Sequence, residues 1–144
     1  MEDYIIFTVG DNYYALNVSS IQRITQVPSV TAIPNAHPMI EGMISYEDRV
    51  IKIVNFRAMM GMKSFEESMS SKSQKLLIYQ TEHAFFGIIV DQIDDIKNLD
   101  CSTLKHVDKI EANTCFVEID GVIEIGDKLV NVIKSVTMPT KEKA

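Results

Sequence analysis

The chain has 144 residues, 46% apolar and 24% charged, with a formal net charge of −6; it is long enough for one domain with a sizeable core, or for two small lobes sharing one, and too short for a multi-domain machine. Its acidic balance holds no Lys/Arg cluster to track a phosphate backbone or an anionic membrane surface, so no nucleic-acid partner is expected. The opening residues carry acids where a secretory signal carries lysines, no apolar run nears the roughly 18 residues of a membrane span, and Cys101 and Cys115 fit reduced thiols, so the expectation is a cytoplasmic chain without direct membrane insertion.

Runs rich in Val, Ile, Phe and Tyr recur between Gly, Asp, Asn and Ser, the pattern of an all-β barrel or sandwich. Strands are predicted over 4–9 and 13–18, with Gly10-Asp11-Asn12 as the turn between them. Ser19 then opens a predicted helical turn that sets Ile21 and Ile24 on one face. Strands over 42–46 and 50–54 flank Tyr46-Glu47-Asp48-Arg49, a turn with three successive charges inside an otherwise apolar hairpin. A second helical turn is predicted from Asn55 to Gly61.

From Met62 to Lys75 the periodicity disappears into Ser, Glu and Lys, which predicts a mobile loop dividing the chain near its middle. Strands over 76–80 and 84–90 follow, turning at Thr81-Glu82-His83. The last predicted strands cover 116–119, 122–125 and 129–132, with turns at Asp120-Gly121 and Gly126-Asp127, before a flexible tail at 139–144.

The two parts repeat each other. Tyr14 to Ile24 lies over Phe86 to Ile96, keeping aromatic, small, aliphatic, Val and two spaced isoleucines in register, and the stretch from Gly42 lies over that from Gly121. Two related β lobes are therefore predicted within a single domain 1–144: a first over about 13–62, the loop at 63–75, and a second over about 76–132, with terminal segments crossing between them.

No chemistry of catalysis stands out. No nucleophile elbow or P-loop is present. His37, His83 and His106 sit beside a proline, in a turn and in a polar stretch, as surface residues do. Cys101, His106 and Cys115 could form a metal site only with a fourth donor and closer spacing, so no cofactor or metal is expected, and a small metal-binding β-barrel is the weaker alternative. Asp91, Asp94 and Asp95 fit a solvated turn. Met39, Met43, Met59, Met60, Met62 and Met69 fit core filling better than an adaptable binding surface.

The series GD-x-x-Y from Gly10, I-P-N-A from Ile33, the glycine-led hairpin from Gly42, the strand ending at Arg57, and G-I-I-V-D from Gly87 resembles the CheW family of chemotaxis coupling proteins over nearly the whole chain. The resemblance implies two small SH3-like five-stranded β-barrel lobes around a shared hydrophobic core, with short helical turns, and no enzymatic activity. It implies an adaptor that binds the cytoplasmic tip of chemoreceptors and the regulatory domain of a CheA-type histidine kinase, recruited to the inner face of the membrane through receptors, with weak self-association in arrays. The same scaffold in a non-flagellar kinase pathway is the alternative use.

By the same resemblance Ile21, Ile24, Val30 and Ile33 contribute to a first-lobe apolar wall, or are plain core. Family members typically carry N-L-R-G where this chain has Ser45-Tyr46-Glu47-Asp48, and Glu where Arg23 stands. That joint inversion implies an ion pair of swapped polarity between Arg23 and Glu47, and makes Arg23, Tyr46, Glu47, Asp48 and Arg49 candidates for partner choice.

Overall fold

A computed structural model describes residues 2–60, 74–82, 84–100, 102, 104–105 and 116–138. The loop expected at 63–75, except its last two residues, falls outside the described residues, as do Gly61, His83, Cys101, His106, Cys115 and the tail at 139–144.

The strands are β1 (Glu2–Val9), β2 (Asn12–Asn17), β3 (Ile21–Gln26), β4 (Ile40–Tyr46), β5 (Arg49–Asn55), β6 (Lys75–Gln80), β7 (Phe85–Val90), β8 (Gln92–Leu99), β9 (Val117–Ile125) and β10 (Lys128–Val136). Among the described residues a 3₁₀ turn, Val18–Ser20, precedes β3, and a short helix, α1 (Phe56–Met59), follows β5. They form two five-stranded sheets, sheet A in the order β8-β1-β2-β10-β9 and sheet B in the order β3-β6-β7-β5-β4.

Advancing every strand of β1–β5 by five turns the order of one sheet into that of the other, so the internal repeat is a repeat of architecture. The registers agree as well. Phe7 pairs with Tyr14 as Tyr79 pairs with Phe86, and Val132 runs parallel to Ala15 as Ile53 does to Gly87. The irregularity that skips Gln22 on β3 recurs as the one that skips Asp94 on β8.

Each half, however, gives its first hairpin to the other half's sheet. The sheets therefore do not follow the expected lobes at 13–62 and 76–132: β2 lies in sheet A and β6 and β7 in sheet B.

Three further expectations change. Residues 21–26 are a strand, and the helical turn before them is capped by Asn17, whose side chain accepts from the Ser19 N–H at 2.8 Å. The expected turn at Asp120-Gly121 is a bulge inside the continuous β9, since Val132 pairs with Gly121 and Ile133 with Ile119. Glu41 is skipped in the same way before Gly42. At both glycines another chain segment lies where a Cβ would stand: the Thr31 carbonyl and Val30 over Gly42, and the Lys105 carbonyl at 2.7 Å over Gly121. Only glycine admits the isolated bridges Thr31–Met43 and Lys105–Val122 at that spacing.

Strand alternation then builds three apolar clusters. The central one lies between the sheets and holds Phe7, Tyr14, Leu16, Phe56, Leu77, Phe86, Ile88 and Ile133 among others. Phe7, Tyr14 and Phe56 meet with ring centroids 4.9 to 5.7 Å apart, tying the β1–β2 hairpin of sheet A to α1, which follows β5 of sheet B. Each such ring pair contributes about 0.5–1.5 kcal/mol beyond its area burial. Met59 is buried here, and Met39 and Met60 pack against it, as the core reading of the methionines expects. Each sheet also has its own cluster on its other face, Ile6, Val130 and Val132 in sheet A and Ile44, Ile51 and Ile78 in sheet B.

Candidate partner-binding site

β3 is an edge strand of sheet B. Because Gln22 is skipped, Ile21 pairs with Tyr79, Arg23 with Ile78 and Ile24 with Leu77. The bulge returns Ile21 and Ile24, three residues apart, to the same face. Both are half-buried against the central core, and the spacing that suggested a helix belongs to a bulged strand. Arg23 lies on the opposite face, its guanidinium carbon 5.8 Å from the centre of the Tyr46 ring.

The structure does not extend this flank to all four predicted wall residues. Val30 packs in the separate cluster of sheet B, above Gly42. Ile33 is half-buried in the connection before β4, where its carbonyl accepts from the Ala36 N–H at 3.3 Å.

Tyr46 pairs with Arg49 across a two-residue loop in which Glu47 has φ 46° and Asp48 φ 63°. Positive φ at both central positions defines a type I′ turn, which matches the twist of the strands but favours Asn-Gly. Both acids are exposed. The turn touches β7: the Tyr46 ring stands edge-on to Phe85 at 6.0 Å, and the Arg49 guanidinium lies over Phe85 at 4.5 Å. Arg23, Tyr46, Phe85 and Arg49 thus form one ladder of cations and rings.

Among ion pairs between described residues, none joins Arg23 to Glu47, so the expected pair is corrected. Arg23 instead stands over the Tyr46 ring at 5.8 Å.

Sheet A carries the equivalent tip. Ile125 pairs with Lys128 around Gly126 (φ 63°) and Asp127, and the Lys128 ammonium lies 4.7 Å over the Tyr13 ring. Tyr13, then Asp94, raise the Lys128 pKa. Of the large apolar side chains left exposed among described residues, Val50 (71%) and Leu129 (62%) follow the two equivalent cations, and Ile96 (55%) is the β8 counterpart of Ile24.

Asp91, expected in a solvated turn, is buried between β7 and β8. Its carboxylate accepts from Arg57 Nε at 2.9 and 3.1 Å and from Nη2 at 2.6 Å, and Oδ2 also accepts from the Gly10 N–H at 2.9 Å. The pair joins α1 to the β1–β2 turn, which belongs to the other sheet. Asp94 and Asp95 are exposed, as expected, but lie within strand β8 rather than in a turn. His37 is half-buried rather than free on the surface, packed edge-on against Phe116 at 5.5 Å with its Nδ1 accepting from the Met39 N–H.

Phe85 and Tyr13 were not singled out from sequence, and Asp91 was read only as part of a solvated turn. The doubled aromatics Tyr13-Tyr14 and Phe85-Phe86 were the available signal for the first two, since neighbours on a strand face opposite clusters.

Two equivalent five-stranded sheets around one core, with exposed apolar and cationic tips, define a two-lobed β scaffold. The family model described as CheW-like domain matches residues 3–137, and the chain belongs to that family. It is 23% identical over 142 residues to the chemotaxis protein CheW of Rhizobium meliloti (strain 1021), covering 98% of this chain and 90% of that protein. With the chemotaxis protein CheW of Klebsiella aerogenes it shares 19% over 129 residues, covering 89% and 75%. The crystal structure of the scaffolding protein TtCheW from Thermoanaerobacter tengcongensis matches with a TM-score of 0.80 at 22% identity, covering 92% of this chain and 88% of that one. The expected SH3-like two-lobed fold is therefore the fold found.

Proposed function

We propose that the chain is a non-enzymatic adaptor that couples methyl-accepting chemoreceptors to a CheA-type histidine kinase in chemotaxis signalling. The observation that carries this reading is the match to the CheW-like domain over residues 3–137, supported by relatives named as chemotaxis proteins and a neighbour named as a scaffold. Among the described residues no helix is long and apolar enough to cross a membrane, so membrane recruitment in this reading runs through the receptors.

The half-buried Ile21 and Ile24 on an edge strand offer an apolar flank for a receptor helix, whose own apolar stripe supplies the complementary face. Arg23, Tyr46, Arg49 and the exposed Val50 offer a separate barrel-end surface for the kinase. The test is kinase autophosphorylation reconstituted with receptor fragments, with and without this protein. Receptor-dependent kinase control that requires the protein, and weakens in Ile24→Asp, is expected. The same kinase activity in both cases, with no co-sedimentation, refutes the reading.

A further inference from the structure

The two barrel ends are built from equivalent positions but are not filled alike. In sheet B the position after Ser45 is Tyr46, whose ring closes the mouth against Phe85 under Arg23. In sheet A the equivalent position is Ile125, the residue after it is Gly126 where sheet B has Glu47, and the equivalent of Phe85 is Tyr13. The missing ring leaves a cavity of about 250 Å³ lined by Ile6, Tyr13, Ile125 and Val130, its rim mixing Lys97 and Lys128 with Asp94 and Asp127.

We propose that this mouth receives one aromatic side chain of a protein partner, carried beside an acidic residue, in the place that Tyr46 occupies in sheet B. Tyr13 is available for an edge-on contact like that of Phe85 with Tyr46. The two ammoniums are complementary to the negative face of an incoming ring and to a neighbouring carboxylate. Lys128 lies over the Tyr13 ring and 4.0 Å from Asp94, and Lys97 stands 3.9 Å from Asp95, all of them exposed contacts. Exposed pairs at this distance hold weakly and yield readily to a partner. That the partner is a protein rests on the adaptor reading; that the pocket takes a ring does not.

Two arms test this. In the first, p-cresol, the tyrosine side chain alone, is titrated into the full chain and followed by amide chemical shifts, with 4-methylcyclohexanol as a probe of similar size lacking a π face. Saturable shifts confined to Tyr13, Lys97 and residues 125–128 are expected, with weaker binding of the alcohol. Ile125→Tyr, which supplies its own ring, is expected to weaken p-cresol binding about tenfold, the scale of one good ring contact. Shifts elsewhere, no saturation, or equal binding of the two probes overturns the proposal, and the wild-type comparison decides this even where Ile125→Tyr does not fold.

The second arm measures binding of receptor fragments and kinase to wild type and Ile125→Tyr. About a tenfold loss for one of them is expected. Unchanged binding of both, beside intact coupling by wild type, overturns the assignment to a protein partner. If wild type couples nothing while p-cresol still binds the mouth, the adaptor reading falls and the ring pocket stands.

Discussion

Among the described residues the Arg57–Asp91 pair is the shortest ion pair and a buried one, and its energy can be worked from its surroundings. Both residues are under a tenth exposed, and the carboxylate takes three short contacts from Arg57 and one from the Gly10 N–H. Asp91→Asn preserves shape and an acceptor for Gly10 while removing the negative charge. The buried guanidinium then loses the charge of Asp91, and breaking a buried pair in this way costs about 3–5 kcal/mol. Against a total of about 5–15 kcal/mol for a domain, that is a large fraction. With a urea m-value of about 2 kcal/mol/M, the midpoint falls by about 2 M.

Arg57→Met is expected to cost a similar amount by burying the carboxylate alone. The double variant Arg57→Met/Asp91→Asn leaves no buried charge and retains an acceptor for Gly10, so it is expected to lie well above the sum of the two losses, with a coupling of at least about 2 kcal/mol. The assay is urea unfolding followed by circular dichroism, with unchanged m-values as the check on two-state behaviour. Single losses below about 1 kcal/mol, or strictly additive ones, would refute the claim that desolvation governs this site.

Two further outcomes follow from the turn and the buried phenols. Glu47 and Asp48 both hold left-handed backbone, so Glu47→Asn/Asp48→Gly is expected to raise stability by about 1 kcal/mol and Tm by about 3 °C; a lower Tm in scanning calorimetry would show that the acids stabilise the turn. Burial raises the pKa of Tyr14 and Tyr79, opposed more weakly by hydrogen bonds with Asn12 and Val136. Their protons are held more tightly folded than unfolded, so this contribution is whole below about pH 10 and is lost as pH rises through the folded pKa values. Tyr79→Phe is therefore expected to flatten the alkaline fall of the urea midpoint, while lowering stability at pH 7 by about 1 kcal/mol because the Val136 N–H loses its acceptor at 3.3 Å; an unchanged alkaline slope would count against the assignment.

The sequence showed the strands whose apolar residues alternate plainly, and it showed the repeat. β3 and β8 stayed hidden because a bulge in each, at Gln22 and Asp94, breaks the two-residue period on which strand reading depends. Asp91 was misjudged because its partner, Arg57, lies 34 residues away, and a carboxylate's burial is a property of what packs on it. The site was legible as a set of residue types at a hairpin tip. The contact of that tip with Phe85 was not, since it depends on which strand lies beside β5.

The exchange of hairpins between halves has a physical cause that the sequence contains as an absence. Between β7 and β8 stands one residue, Asp91, and between β2 and β3 stand three in a 3₁₀ turn, with no glycine in either link. A hairpin needs at least two loop residues, usually with Asn or Gly at positive φ, as at Gly126. One residue cannot reverse the chain within a sheet, so β8 must leave sheet B and pair with β1 of sheet A. The equivalent link sends β3 to β6. Each crossing carries an edge strand into the sheet that the other half completes, which is why neither lobe can close alone and why Arg57 and Asp91, at one such crossing, hold both.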